Sequence, residues 1–171
     1  MVTAHQTAHE VTAHQAAAGT PDPELPMVTV ADLGILRAVE VTGEGVVVTI
    51  TPTYSGCPAM REISADIRGR VERAGYRDVE VRQQLAPAWS TDWITEAGRR
   101  KLAAAGVAPP SPAPRHRGPV PLTLGAAPSS PACPRCGSSR TRRTAQFSAT
   151  ACKSLHRCEE CGEPFEAVKP L

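Results

Sequence analysis

Six cysteines in 171 residues carry most of the chemistry open to this chain, and their spacing sorts them into two kinds. Cys133-Pro-Arg-Cys136 and Cys158-Glu-Glu-Cys161 are C-x2-C pairs, each followed by a glycine (Gly137, Gly162). Two intervening residues let both sulfurs face one tetrahedral ion at about 2.3 Å, and glycine relieves the tight turn. The 21 residues between the pairs slightly exceed the usual zinc spacing but accommodate a hairpin. A tetrathiolate metal site is expected, zinc ahead of iron or a cluster, with a structural role. Few other apolar residues lie in this tail, so metal binding is expected to fold it. Cys152 is either a spare thiol or an extra ligand in another grouping, and His156 an alternative ligand or a surface histidine.

Cys57 stands apart, in Thr51-Pro-Thr-Tyr-Ser-Gly-Cys-Pro-Ala-Met60. The apolar run Val46-Val-Val-Thr-Ile50 enters this stretch as a strand, and an amphipathic helix leaves it. Gly56 allows a tight turn, and Pro58 suits a first helical position, where a missing N–H costs nothing. Cys57 is then at or near the helix N-cap, where unbonded N–H groups and the helix dipole favour a thiolate. It reads equally as a reactive or metal-binding cysteine and as a small hydrophobe packing the turn. Asp22, Glu24 and Asp32 are candidate site carboxylates, although Asp beside Pro or Gly commonly serves as a turn or cap residue. Thr53 and Ser55 join the candidate set as neighbours of the thiol.

The elements that must position these groups follow from periodicity. His5 and His9 share helical spacing in the repetitive start, as do Ala4, Ala8 and Val11, which predicts a solvated, fraying first helix. Pro21-Asp-Pro-Glu-Leu-Pro26 cannot be helix or central strand. Ile35–Val41 and Val46–Ile50 flank Thr42-Gly-Glu-Gly45, a hairpin pattern. Met60, Ile63, Ile67, Val71 and Ala74 recur at steps of three and four, and Gly75 is placed to end that helix. Asp78–Arg82 reads as a third strand, and Thr95–Ala105 as a short basic helix ending at Gly106. Trp89 and Trp93 read as partly buried, with one face left for a partner.

Residues 106–132 hold eight prolines and read as a semi-rigid linker. The expected organisation is a variable segment 1–19, a small α/β (α+β) domain 20–105, the linker 106–132 and a ribbon-like module 133–171. The small domain is expected to have a three- to four-stranded sheet and two to three helices. Apolar residues make up 41% of the chain and aromatics only 4%, so the core must be aliphatic. Residues 1–105 carry ten Lys/Arg against thirteen Asp/Glu, and 133–171 seven against four. Four thiolates and a divalent cation would bring the tail to about neutral, so no strong nucleic-acid footprint is present. No run approaches the roughly 20 apolar residues of a membrane span, and no signal peptide is evident, which together with the metal-type cysteine spacing points to the cytoplasm.

Asp22-Pro-Glu-Leu-Pro26, Ala31-Asp-Leu-Gly34 and Thr51–Pro58 resemble the small domain of iron–sulfur assembly factors such as SufT and the eukaryotic cytosolic targeting factor. With Trp89-Ser-Thr-Asp-Trp-Ile94, Thr150-Ala-Cys-Lys-Ser154 and Arg157-Cys-Glu-Glu-Cys-Gly-Glu-Pro-Phe165, the chain resembles the PaaD (PaaJ) family over about residues 20–168. Members of that family belong to the bacterial phenylacetyl-CoA epoxidase system. The resemblance implies an accessory subunit of an NADPH- and oxygen-dependent ring epoxidase whose di-iron chemistry is assigned to another component. The implied role is maturation of iron or iron–sulfur centres, the implied partners are the other epoxidase subunits, and a homo-oligomer is left open. Cys57 would then be a transient iron or cluster ligand in a pocket shaped by Asp22, Glu24 or Asp32.

The residues themselves offer no Glu-x-x-His pair, no dinucleotide fingerprint and no nucleophile–base constellation, so catalysis by this chain itself is not indicated. Two other readings stay open. Arg140-Thr-Arg-Arg143 with Phe147 would suit a nucleic-acid-binding or docking and regulatory ribbon, although the neighbouring glutamates weaken it. Thiol redox catalysis by Cys57 lacks a nearby resolving cysteine.

Overall fold

The structure, a computed structural model, describes residues 8–43, 45–112 and 130–170. Ala4, His5, Glu44 and the middle of the expected linker, 113–129, lie outside them. The described residues divide into two compact units: those up to Trp89 together with Trp93–Gly98, and Ser90–Asp92 together with Arg99 onward.

In the first unit α1 (Ala8–Ala18) is followed by the antiparallel pair β1 (Leu36–Thr42) and β2 (Gly45–Ile50). Helix α2 (Ala59–Arg73) then carries the chain to β3 (Asp78–Gln83), which lies parallel to β2, giving the sheet order β1-β2-β3. Central β2 alternates as a strand with one buried face must: Val46, Val48 and Ile50 point into the core. Met60, Ile63, Ile67 and Val71 of α2 are buried, as their spacing predicts. The helix ends in a Schellman motif: Gly75 (φ +104°) donates its N–H to Glu72 O at 2.9 Å, and Tyr76 to Val71 O at 3.4 Å. Tyr76 is itself buried.

Helix α1 departs from expectation. Ala13 and Ala17 are fully buried and the helix packs on β1 and α2, whereas Val11, on the expected face, is exposed. Small side chains on both faces leave period alone unable to choose, and close packing selects the alanines.

The tryptophans also differ from the expected pair with a free face. Trp89 is buried and donates its indole N–H to Leu33 O at 2.9 Å; Trp93 is half-buried with the Arg37 guanidinium 3.7 Å over its ring. Thr95 caps α3 (Glu96–Ala104) through Oγ1, which accepts the Gly98 N–H.

The second unit is a four-stranded sheet in the order β4-β7-β6-β5, from β4 (Val107–Ala108), β5 (Thr141–Ala145), β6 (Lys153–Cys158) and β7 (Pro164–Val168). Strands β5, β6 and β7 run antiparallel, and β4 lies parallel to β7. The hairpin expected between the cysteine pairs is β5–β6. Val107 and Ala108, placed by the sequence in the Pro-rich stretch, instead join this sheet, because both are buried and Gly106 (φ +81°) turns the chain from α3 into it. No helix among the described residues is long and apolar enough to cross a membrane.

Candidate metal centres

The two C-x2-C turns have the same local construction. In each, the glycine after the second cysteine adopts positive φ (Gly137 +74°, Gly162 +76°) and donates its N–H to the carbonyl of the first cysteine. The first cysteine donates its own N–H to the carbonyl five residues on, Ser138 for Cys133 and Glu163 for Cys158, at 2.9 Å in both cases. This curls each turn so that both sulfurs face inward. The four sulfurs lie within 4.8 Å of one another, with Cys133 Sγ–Cys161 Sγ at 3.8 Å and Cys136 Sγ–Cys158 Sγ at 3.6 Å. A tetrahedral ion with metal–sulfur bonds of about 2.3 Å needs sulfurs about 3.8 Å apart, so the donor set fits.

The electrostatics ask for a cation as well. Backbone N–H groups of Cys161 and, against some burial, Glu160 hold the Cys158 thiol down to about 7. Cys136 accepts an N–H from Ser138, yet burial and the three surrounding thiols push it up to about 12. Thiols this close cannot all ionise without a metal to neutralise them. Arg135–Glu163 (2.6 Å) and Arg140–Glu160 (2.8 Å) tie one cysteine turn to the other across the surface. These ion pairs neutralise part of the basic cluster that could have favoured nucleic acid. Cys152 lies outside the group, its sulfur 3.2 Å from Thr150 Oγ1. His156 is buried, 3.0 Å from the Ser154 hydroxyl and stacked on Phe165, rather than a ligand of the group or a surface residue.

In the first unit Cys57 closes a turn in which its N–H meets Tyr54 O at 3.3 Å across Gly56, whose φ of +86° only glycine adopts freely. Pro58 is the N-cap of α2 rather than its first helical residue, so Cys57 precedes the N-cap by one position. Its sulfur accepts the Ala59 N–H and the Tyr54 hydroxyl. Desolvation nevertheless outweighs them, and the Glu24 and Asp22 carboxylates add to it, so the thiol is raised above its ordinary range. The expectation that the helix N-terminus would favour a thiolate is therefore reversed: burial and two nearby negative charges win over two hydrogen bonds. A neutral thiol at neutral pH also argues against Cys57 redox catalysis.

Asp22 and Asp32 serve as turn residues. Asp22 Oδ1 accepts the N–H groups of Glu24 (2.8 Å) and Leu25 (2.9 Å). Asp32 Oδ2 accepts the Thr29 N–H at 2.9 Å, while Thr29 Oγ1 accepts that of Asp32. Asp22 and Glu24 both act electrostatically on Cys57, so the fold brings this part of the candidate set together; Asp32 is not among the groups acting on the thiol. Thr53 is half-buried and Ser55 exposed on the same turn. Tyr54, whose hydroxyl reaches the sulfur, is absent from the sequence-based candidates, although its position three residues before Cys57 in a glycine turn is a signal for it.

The sign of these charges gives a direct check. Alkylation of Cys57 by iodoacetamide should be slower at neutral pH than that of a free cysteine and should go on climbing beyond the ordinary thiol range. Glu24→Gln removes one raising charge and should speed it at a given pH, with peptide mass spectrometry as the readout.

The chain matches two family models, an iron–sulfur cluster assembly protein over residues 16–82 and a PaaD zinc beta ribbon domain over residues 117–169. It is 43% identical over 149 residues to an Escherichia coli K12 protein provisionally named as a 1,2-phenylacetyl-CoA epoxidase component, covering 87% of this chain and 86% of that protein. A Porphyromonas gingivalis W83 relative named as an Fe-S protein maturation auxiliary factor is 39% identical over 83 residues, 47% of this chain and 78% of that one. The crystal structure of a domain of unknown function, DUF59, from Bacillus anthracis superposes with a TM-score of 0.52 at 26% identity, over 56% of this chain and 92% of that chain.

Proposed function

This chain belongs to the PaaD family, and from that premise we propose that it is an accessory subunit of a phenylacetyl-CoA epoxidase that helps mature or insert the iron centres of the oxygenase. It would act in the cytoplasm beside the other subunits. The observation that carries this reading is the Cys57 turn: a half-buried thiol within the field of two carboxylates, on a domain matched to iron–sulfur assembly proteins. The same negative charges that disfavour a bare thiolate attract a cation. Iron approaching as cargo would meet one soft sulfur and carboxylate oxygens, and its binding would release the thiol proton. Of the candidate residues, Asp22 already accepts two N–H groups of its own turn through one oxygen.

The four C-terminal cysteines would hold zinc, which would supply a fixed tetrahedral crosslink and no chemistry of its own. Their module would then be structural or a docking platform.

Cys57→Ala, a small substitution at a half-buried turn, should leave folding and ribbon zinc intact. Iron content and epoxidase activity of the partner enzyme, matured with the variant, should fall severalfold. Unchanged iron and unchanged activity would sink the proposal and leave Cys57 as packing. Anaerobic purification with metal analysis gives an independent check: about one zinc in both proteins, with iron-dependent colour only in the wild type.

A further inference from the structure

The face of the ribbon sheet that carries Cys158, Phe165 and Ala167 also carries polar and basic side chains beside that small core. Arg143 of β5 pairs with His156 of β6, and Ser154 pairs with Ala167 of β7, so their side chains share a face by strand alternation, with Lys169 two residues beyond Ala167. A cavity of about 670 Å³ opens over this face, within the size range of small-molecule sites. Five prolines line it, from the two ends of the Pro-rich stretch and from Pro170, and they give it stiff, apolar walls.

Its charge has one sign. Among the described residues no aspartate or glutamate lines the cavity, whereas Arg142, Arg143 and Lys169 do. Arg143 has no ion-pair partner among the described residues, in contrast to Arg135 and Arg140, which are neutralised by glutamates. His156 is nine-tenths buried, and its Nδ1 lacks a hydrogen-bond partner among the described residues, polar capacity that native interiors rarely leave unused.

We propose that this cavity binds a small organic anion with an apolar body, a carboxylate, sulfonate or phosphate ester whose charge lies against Arg143 and whose body lies between the proline walls. Guanidinium suits such a head group because its donors form a planar fork, and the surrounding apolar walls strengthen the attraction by excluding water. Nothing in this inference rests on the Cys57 reading, and either can fail alone.

The test uses the full-length, zinc-loaded protein with 1-anilinonaphthalene-8-sulfonate as anionic probe and N-phenyl-1-naphthylamine as its neutral counterpart. Fluorescence titration should show saturable binding of the sulfonate that weakens at least tenfold in Arg143→Gln and is partly restored in Arg143→Lys. Affinity for the neutral probe should not respond to either change. Zinc content and circular dichroism report whether the variants fold; if Arg143→Gln loses zinc, Arg143→Met, which keeps an aliphatic stem and removes the charge, supplies the same comparison. Equal sulfonate affinity in wild type and folded variants would overturn the proposal. So would a single-stranded 12-mer oligonucleotide that bound more tightly than the sulfonate and lost affinity in the same variants, since the face would then be a nucleic-acid surface.

Discussion

Stripping the metal with a strong chelator, or replacing Cys158 by serine, will unfold the β4–β7 sheet and leave the β1–β3 sheet folded. The buried apolar cluster of the ribbon consists of Ala108, Cys133, Cys158, Phe165 and Ala167, and two of these five are themselves candidate metal ligands. Phe165 is the one large side chain there, and full burial of such a group stabilises by only about 1.5–3 kcal/mol. Ordering each residue costs about 1–2 kcal/mol in backbone entropy, so a core this small cannot hold four strands by itself. A structural tetrathiolate site supplies about 10–16 kcal/mol at neutral pH, several times what the core can contribute. The surface ion pairs Arg135–Glu163 and Arg140–Glu160 are worth at most about 1 kcal/mol each and will not compensate. In a ¹H–¹⁵N correlation spectrum, amides of 141–168 should collapse to unfolded positions on chelation while those of α2 and β2 stay dispersed. A ribbon that keeps its dispersed amides after complete metal removal would show that packing alone folds it.

Gly34→Ala should cost about 4 kcal/mol, enough to unfold much of the first unit at moderate temperature. Gly34 has φ +68°, a conformation that costs a side-chain-bearing residue about 1–2 kcal/mol. A Cβ there would also lie 2.6 Å from both Cβ and O of Trp93, and backbone cannot step aside as a flexible side chain can. Gly98 faces the same restriction, its added Cβ meeting Asp32 O at 2.7 Å. These two close approaches let Trp93–Gly98 lie against the 31–34 turn, where Thr95 N–H bonds Asp32 O at 2.8 Å and the Trp89 indole bonds Leu33 O. Chemical denaturation followed by tryptophan emission measures the loss, since buried Trp89 becomes exposed on unfolding. A Gly34→Ala midpoint displaced by no more than the φ penalty alone would mean that the segment shifts to make room.

Both glycines sit in stretches whose sequence shows only turn chemistry, and that contrast marks how far the sequence could be read. The period-two burial of Val46, Val48 and Ile50 and the period-3.6 burial of Met60, Ile63, Ile67 and Val71 are strong because every residue on one face is apolar. The cysteine cluster was legible for a similar reason: two short, rigid turns put four sulfurs together almost independently of the rest of the chain. What failed were features decided by distant neighbours. The buried face of α1 is selected by β1 and α2, not by its own composition. Val107 and Ala108 look like the start of a linker until β7 offers them a parallel edge.

By itself, then, the amino-acid sequence determined the local elements of the first sheet, the hairpin between the cysteine pairs and the grouping of four sulfurs, since each depends on periodicity or on spacing within a few residues. Only the tertiary structure decided the electrostatics of Cys57. Local chemistry, a helix N-terminus and two hydrogen bonds, favours the thiolate; burial, with Glu24 and Asp22 brought from more than thirty residues away, reverses it. It also decided which arginines of the ribbon are neutralised and which line a cavity, because ion pairing is settled by which glutamates the second cysteine turn carries to the first.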